Sequence, residues 1–199
     1  MIGDDTEHAC MTAQAILKAE DDVDRFQRSL AWRLRWRLLG VPAGVGLGTL
    51  RAILKLWIGF PPTRSGVNSA GNGPAMRAPI IGVLFANRSN SLSPIVQAST
   101  RITHCDLRAE QGAMAIAAAA HYAATHVDRP IHWREVLDQL RGHVTEQELL
   151  DRIDRVEHHL ELGSPPEVLA AEIGLTRGVT GYINNTVPIR TILLAAIFG

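Results

Sequence analysis

Cysteine is scarce in this sequence, and its two copies lie far apart. Cys10 falls in the first helical segment and Cys105 directly follows His104, with no Cys-x-x-Cys pair and no Cys/His spacing of a zinc site. A disulfide framework is therefore excluded, and both thiols are expected to be reduced. A chain of 199 residues buries enough surface to hold a core without such links, which fits a reducing compartment.

Net charge and long apolar runs are also absent. The 20 Lys and Arg residues are matched by 20 Asp and Glu residues, so overall steering toward nucleic acid is weak and no nucleic-acid groove is expected. No apolar run approaches the roughly 18 residues of a membrane span. The first residues are acidic, where a secretory leader would be basic and then apolar. We therefore expect a single cytoplasmic domain over residues 1–199, with no membrane segment and no membrane partner.

Strand-like alternation is scarce as well, and the expected fold class is a compact, multi-helix all-α domain. An alanine-rich run predicts a helix over 111–125, and a further helix is predicted over 132–141. Thr145 is predicted to cap the next helix, with Glu148 closing a capping box, and this helix is predicted to run to about His159.

Proline and glycine mark the remaining boundaries. A short helix is predicted over 167–173, with Gly174 as its stop. Pro61-Pro62 and residues 68–73 are predicted to be loops, because apolar periodic segments flank them on both sides. The glycines of 44–48 superficially resemble a dinucleotide loop, but no preceding strand supports it, so a tight connection between helices is predicted.

Two further patterns have ordinary structural explanations. Trp and Arg alternate over 28–37, which suits a nucleic-acid groove or an anionic membrane surface, but the balanced total charge favours a half-buried helix with Arg–acid contacts. The histidines His8, His121, His158 and His159 are expected to be solvated side chains rather than metal ligands.

An acidic cluster and a loop of small residues are the candidates for metal binding and for phosphate binding. Asp4 and Asp5 offer hard oxygen ligands suited to Mg²⁺ or Mn²⁺, although acids at a helix start are by themselves better explained by capping and the helix dipole. In the loop 65–77, glycine freedom, backbone N–H groups and the side chains of Ser69 and Asn72 suit phosphate. A helix-capping turn explains the same loop equally well.

Four blocks in order resemble the ADP-ribosylglycohydrolase family, in particular its dinitrogenase reductase-activating type. They are Asp4–Glu7, Gly71–Arg77, Thr103–Ala109 and Gly181–Pro188, and they span nearly the whole chain. The resemblance implies a metal-dependent hydrolase that cleaves the glycosidic bond between ADP-ribose and a protein or small-molecule acceptor. It also implies an all-helical domain with two Mg²⁺ or Mn²⁺ ions in a central cleft.

The resemblance assigns roles to individual positions. Asp4 and Asp5 match the family's metal ligands and catalytic acids. The implied substrate-binding positions are Ser69, Ala70, Gly71, Asn72 and Gly73, on a loop that wraps the diphosphate and distal ribose, and His104 and Tyr182, which line the ADP-ribose pocket. From the residues alone, His104 could instead cap the helix that follows it, and Tyr182 could be a core aromatic with a bonded hydroxyl.

The departures from the family are also informative. Its upstream Gly-Asp block and its late Gly-Asp-Thr-Asp block are not present, and Gly3 stands where relatives have Thr or Ser. We therefore expect a fragment, truncated at both ends, with an incomplete metal shell and an apolar terminal helix over 192–198 that exposes an apolar patch. A catalytically inactive ADP-ribose-binding or structural relative is the alternative function. No motif indicates the acceptor or the oligomeric state.

Overall fold

The computed structural model describes residues 3–40, 45–175, 178 and 180–198. Within this part of the chain there are ten α-helices and no strand beyond two isolated bridges, so the expected all-α class is confirmed. The helices are α1 (Asp4–Ala19), α2 (Val23–Arg37), α3 (Leu47–Trp57), α4 (Gly73–Leu84), α5 (Ser89–Arg101), α6 (Leu107–Thr125), α7 (Trp133–Arg141), α8 (Gln147–Glu161), α9 (Pro166–Glu172) and α10 (Ile183–Phe198).

The centre of the fold is the pair α4 and α6, which make the most extensive contact between two described helices. A Cβ atom added to Gly82 would lie 2.3 Å from the carbonyl oxygen of Ala117, so the two backbones approach as closely as glycine and alanine allow. The alanine-rich sequence of α6 is the cause of this close approach. Helices α1 and α5 pack on this pair, and α2 packs on α1 and α5. Helices α7 and α10 pack on α6, and α8 packs on α7 and α10.

Several predicted helices occur close to their expected bounds. Helix α6 contains 111–125 but begins at Leu107, because the Asp106 side chain accepts a hydrogen bond from the Arg108 backbone N–H at 2.9 Å. Helix α7 begins one residue later than predicted, with His132 as its cap. Helix α9 is followed by Gly174 at φ 79°, a left-handed conformation that favours glycine, as the predicted stop requires.

The predicted capping box of α8 is wrong. The cap is Glu146, whose side chain accepts from the Leu149 N–H at 2.9 Å. Thr145 is occupied by Gln111 of α6, which donates to the threonine hydroxyl at 2.7 Å and accepts from the threonine N–H at 2.9 Å. A contact between helices therefore displaces the local capping pattern.

The half-buried helix with Arg–acid contacts that was predicted for the Trp- and Arg-rich segment 28–37 is confirmed. Helix α2 buries Phe26, Leu30 and Leu34, while Arg37 in its last turn pairs with the carboxylates of Asp4 and Glu7 in α1. Its tryptophans lie on the exposed side of the helix.

The histidine prediction is wrong at two positions. His8 and His159 are buried, whereas His158 is exposed and His121 is partly buried. His159 continues the buried stripe Leu149, Ile153 and Val156, and its Nε2 lies 2.7 Å from Glu172 Oε2.

Two other predictions fall partly outside the described residues. Of the predicted connection 44–48, Gly44 lies outside them, while Gly46 precedes the first residue of α3. The predicted terminal helix is the end of α10, where Ile192 is buried; the side chains from 194 onward lie outside the description, so the apolar patch stays a prediction. None of the helices described has the length and apolar character needed to cross a membrane.

Candidate functional site

A cavity of about 490 Å³ lies where the first turns of α1, α3 and α4 meet. Each of the four sequence blocks contributes to its wall, although the blocks are spread from Asp4 to Gly181 along the chain. The predicted residues in the wall are Asp4, Ser69, Gly71, Asn72, Gly73 and His104. His8, the start of α3 and Met76 complete it, and these were not predicted.

The three helices that begin at this cavity have no side-chain cap. The residues before them are Gly3, Gly46 and Asn72, and none accepts a capping hydrogen bond through its side chain. By contrast, α2, α6, α7 and α8 are all capped by side chains. Uncapped first turns leave backbone N–H groups available, except at Pro74 in α4, and place the positive ends of the helix dipoles at the cavity, which favours an anion. At α1 the acids Asp4, Asp5 and Glu7 of the first turn oppose this effect.

Three glycines surround the imidazole of His104. An added Cβ atom would lie 2.8 Å from His104 Nε2 at Gly71, 3.0 Å from Nε2 at Gly48 and 3.0 Å from Cε1 at Gly73. The separation at Gly71 is shorter than Cβ contacts allow, and a side chain at Gly48 or Gly73 would require the ring to shift by a few tenths of an ångström. His104 does not cap the next helix, because Asp106 has that role. The glycines of the loop therefore have a packing function that the turn chemistry did not reveal.

His104 is a neutral side chain at pH 7. Its ring is 2% exposed. The pKa of His104 is lowered to about 3, first by burial and then by the positive charge of Arg77, while Asp106 opposes the shift. A neutral imidazole can donate from one ring nitrogen and accept at the other, which suits a ribose hydroxyl or a phosphate oxygen.

Arg77, in the second turn of α4, is a fully buried cation close to the cavity. Its Nε donates to Ser99 Oγ at 3.0 Å, and its Nη2 donates to Ser99 O at 3.0 Å and to Thr103 Oγ1 at 2.8 Å. Thr103 Oγ1 in turn lies 2.9 Å from His104 Nδ1. Burial lowers the pKa of Arg77 to about 9, so the group stays charged at pH 7. No carboxylate in the described part of the chain pairs with it, which leaves its charge free to act on the cavity.

Arg77 also determines the tautomer of His8. Arginine has only donors, and its Nη1 lies 3.4 Å from His8 Nδ1, so this nitrogen is the acceptor and Nε2 carries the proton. His8 Nε2 lies 3.7 Å from Asp4 Oδ1. Arg77 was part of a recognised block but was not singled out. The signal was a single arginine on the apolar face of α4, between Ala75 and Ala78.

Asp4 and Asp5 point in different directions. Asp4 lines the cavity and pairs with Arg37. Asp5 is not in the cavity wall, and its exposed carboxylate pairs with Arg190 of α10 at 3.0 Å. The two acids therefore do not face a common point.

These donors alone do not fit a pair of Mg²⁺ or Mn²⁺ ions. The described residues contain no group of three or more His, Cys, Asp or Glu side chains placed to hold a metal. Both acids are also engaged by arginine. Each Mg²⁺ requires about six oxygen ligands. We therefore assign no chemical step to a metal ion.

Backbone hydrogen bonds on either side of Gly71 and Tyr182 connect the loop to the start of α10. Asn72 N–H donates to Gly181 O at 2.8 Å, and Ile183 N–H donates to Ala70 O at 2.9 Å. The Tyr182 side chain is directed away from the cavity wall, and its hydroxyl donates to Glu148 Oε2 at 2.6 Å. In this arrangement Ala70 and Tyr182 hold the loop in place.

Comparisons with known proteins agree with these blocks. A family model described as ADP-ribosylglycohydrolase matches residues 1–198. An uncharacterized protein of Archaeoglobus fulgidus is 34% identical over 117 residues, which are 58% of this chain and 37% of the archaeal protein. The aligned part thus covers little more than a third of that relative's length.

Proposed function

The chain belongs to the ADP-ribosylglycohydrolase family, and from that membership we propose that it hydrolyses the glycosidic bond between ADP-ribose and a modified acceptor. The observation that carries the proposal is the convergence of three uncapped helix starts on one cavity that holds His104 and lies beside the buried Arg77. This arrangement fits a ligand that combines a diphosphate with hydroxyl-rich sugars.

The cavity suits ADP-ribose in volume and in charge. Its volume of about 490 Å³ falls within the range of small-molecule sites. The helix starts and the charge of Arg77 offset the negative diphosphate, because both act through a region from which most water is excluded. Gly71 and Gly73 allow the backbone to approach the phosphates closely.

Asp4 is the acidic group in the cavity wall. Its carboxylate is oriented by Arg37 and lies beside the Nε2–H of His8. A carboxylate in this position can stabilise the positive charge that develops at the anomeric carbon, or accept a proton from the attacking water. His104, on another part of the wall, can orient a ribose hydroxyl.

The test is the release of ADP-ribose from peptides that carry it on arginine or on serine, followed by chromatography. Asp4→Asn is expected to lower the rate about 100-fold or more, since general acid–base and electrostatic roles have this magnitude. Asp128→Asn, at an exposed turn residue outside the cavity, is the matched control and is expected to leave the rate unchanged. Equal rates in both variants would remove Asp4 from the mechanism.

Metal dependence is a separate prediction, and the family resemblance is its basis. Release measured in EDTA and then after addition of Mg²⁺ or Mn²⁺ tests it directly. If EDTA leaves the rate unchanged, the prediction is wrong.

Binding without hydrolysis is the second candidate function. It is favoured by the arginine partners of Asp4 and Asp5, which engage both predicted metal ligands. Titration calorimetry with ADP-ribose, with and without Mg²⁺, distinguishes the two. Affinity that needs no metal, together with no release from any modified peptide, would establish the binding protein.

A further inference from the structure

The balanced charge of this chain hides a strong segregation along the sequence. Residues 25–105 contain eleven of the 20 Lys and Arg residues and no Asp or Glu. This segment includes α3 and all of α2 except its first two residues, Val23 and Asp24, and the two helices contact each other. Together the two helices carry seven Lys and Arg residues against one acid, Asp24, even though the total charge of the chain is zero.

Three tryptophans form a continuous group on this surface. The ring centroids of Trp32 and Trp36 are 5.2 Å apart, and those of Trp36 and Trp57 are also 5.2 Å apart, both in edge-to-face geometry. Their exposed fractions are 57%, 43% and 40%. Trp57 Nε1–H donates to Arg35 O at 3.1 Å, which joins the end of α3 to α2. We call these three residues the tryptophan face.

Aliphatic side chains extend the tryptophan face along α3. Leu47, Leu54 and Ile58 follow helical spacing with Arg51 between them, and all four are exposed. Ile58 is 75% exposed and directly follows Trp57. Exposed aliphatic and aromatic residues that adjoin one another mark a surface that another apolar phase covers.

Basic side chains lie on one side of this apolar surface, at Trp32, and the exposed acids Glu20, Asp21, Asp22 and Asp24 are close to them in the sequence. Lys18, Arg25, Arg28 and Arg33 line a recess beside Trp32. Arg25 pairs loosely with Glu20, at 3.8 Å. Within the residues that the structure describes, Lys18, Arg28 and Arg51 form no ion pair, so their charges are available to an anionic partner.

We propose that the tryptophan face and the neighbouring basic residues Lys18, Arg28 and Arg51 dock this protein on the surface of an anionic lipid membrane. Tryptophan settles at the lipid headgroup level, exposed leucine and isoleucine insert among the upper acyl carbons, and arginine and lysine bind anionic headgroups. All three kinds of residue occur here on one surface of two neighbouring helices.

Single-stranded nucleic acid fits the same surface less well. Bases stack on free aromatic faces, whereas these indoles are already turned edge to face against each other. Exposed leucine and isoleucine also gain nothing from a nucleic acid. The aliphatic residues of α3 therefore favour lipid.

The experiment is cosedimentation with vesicles of 70% phosphatidylcholine and 30% phosphatidylserine, with pure phosphatidylcholine vesicles alongside. Binding to the anionic vesicles alone is expected. Arg28→Gln with Arg51→Gln should weaken it about fivefold for each arginine removed, and Ile58→Ser should weaken it further. The matched controls are Arg134→Gln and the exposed Leu162→Ser, which lie on other helices and should change nothing.

Tryptophan fluorescence gives a second readout of the same contact. Trp133 is the one tryptophan of the chain outside the tryptophan face, so Trp133→Phe leaves only the three reporters of interest. Their emission should shift to shorter wavelength with anionic vesicles. Neither assay measures hydrolysis, so its result is independent of the proposed enzyme activity.

The absence of binding to the anionic vesicles would overturn the proposal. Tight binding of a fluorescent single-stranded oligonucleotide that Arg28→Gln weakens would then assign the surface to nucleic acid. A concentration-dependent dimer, seen by sedimentation velocity, that Ile58→Ser dissociates would assign it to a second copy of the chain.

Discussion

His104 and the glycines around it explain why the loop before α4 is built from small residues. Gly71→Ala would place a Cβ atom 2.8 Å from His104 Nε2, and the ring cannot withdraw because Gly48 and Gly73 are in contact with it on other sides. We expect the variant to bind ADP-ribose about tenfold more weakly, as measured by titration calorimetry.

The matched control for this variant is Gly142→Ala, where the new methyl group meets only carbonyl oxygens of α7 at 3.5 and 3.6 Å. Its affinity for ADP-ribose should equal that of the unchanged protein. An unchanged affinity in Gly71→Ala would show that the position of His104 does not matter for binding.

Arg77 is expected to be important for stability as well as for charge. Arg77→Met keeps the length of the side chain but removes every donor to Ser99 and Thr103, leaving buried acceptors unpaired. A loss of about 3 kcal/mol in the free energy of unfolding is expected from urea denaturation. Arg77→Lys should recover only part of this stability, because one ammonium group cannot make all the hydrogen bonds that the guanidinium group donates to Ser99 and Thr103.

Arg64→Met provides the comparison, since Arg64 is exposed and its replacement should change stability little. Equal stability of the Met variants at 64 and 77 would contradict the assigned role of the buried cation.

Only some of the site residues predicted from the sequence lie in the cavity wall, and helix geometry explains the difference between Asp4 and Asp5. Asp4 lines the cavity but Asp5 does not, because neighbouring residues of a helix point about 100° apart around its axis. Arg77 was missed although it is the one arginine among the apolar residues of α4, because the sequence does not show that Ser99 and Thr103 are its partners. The roles of the residues in the wall remain predictions.

At the scale of the helix, variants at the start of α8 distinguish the observed cap, Glu146, from the cap that the local sequence pattern predicted, Thr145. Glu146→Ala removes the cap of Leu149 N–H and a hydrogen bond from Asn184 Nδ2 at 3.0 Å. A loss of about 1 kcal/mol is expected from thermal unfolding. Thr145→Ala removes one exposed bond to Gln111 and should cost less than half as much. The reverse order would restore the predicted capping box.

The elements that sequence periodicity predicted best are those that depend on their own residues. Helices α6, α7 and α9 match because alanine content, proline and glycine act within a few positions. The start of α8 could not be predicted, since Gln111 lies more than thirty residues away. The burial of His159 was predictable from the stripe Leu149, Ile153 and Val156, but its exposed neighbour His158 obscured it.

For the molecule as a whole, the buried histidines His8 and His104 predict how stability depends on pH. Burial lowers the pKa of both His8 and His104 to about 3, against an ordinary value of 6.5 in the unfolded chain. Below pH 6.5 the unfolded state binds protons that the folded state rejects, so stability falls as pH falls. The expected loss is about 1.4 kcal/mol per pH unit for each histidine.

Urea denaturation between pH 6 and pH 5 measures this slope before most carboxylates titrate. His104→Asn should reduce this slope by about half, because one of the two low-pKa rings is removed. A flat profile in the unchanged protein would mean that neither ring is buried in solution.

The cavity forms late during folding, because its wall combines segments that are far apart in the sequence. Val67 pairs with His104, and Gly71 pairs with Tyr182, so the wall joins segments far apart in the sequence. Contacts of this kind require large loops to close, and they form later than the contacts within single helices. On the ribosome, α1, α3 and α4 emerge well before the segment around Gly181. A nascent chain therefore carries these helices, but no complete binding site, until synthesis has passed that segment.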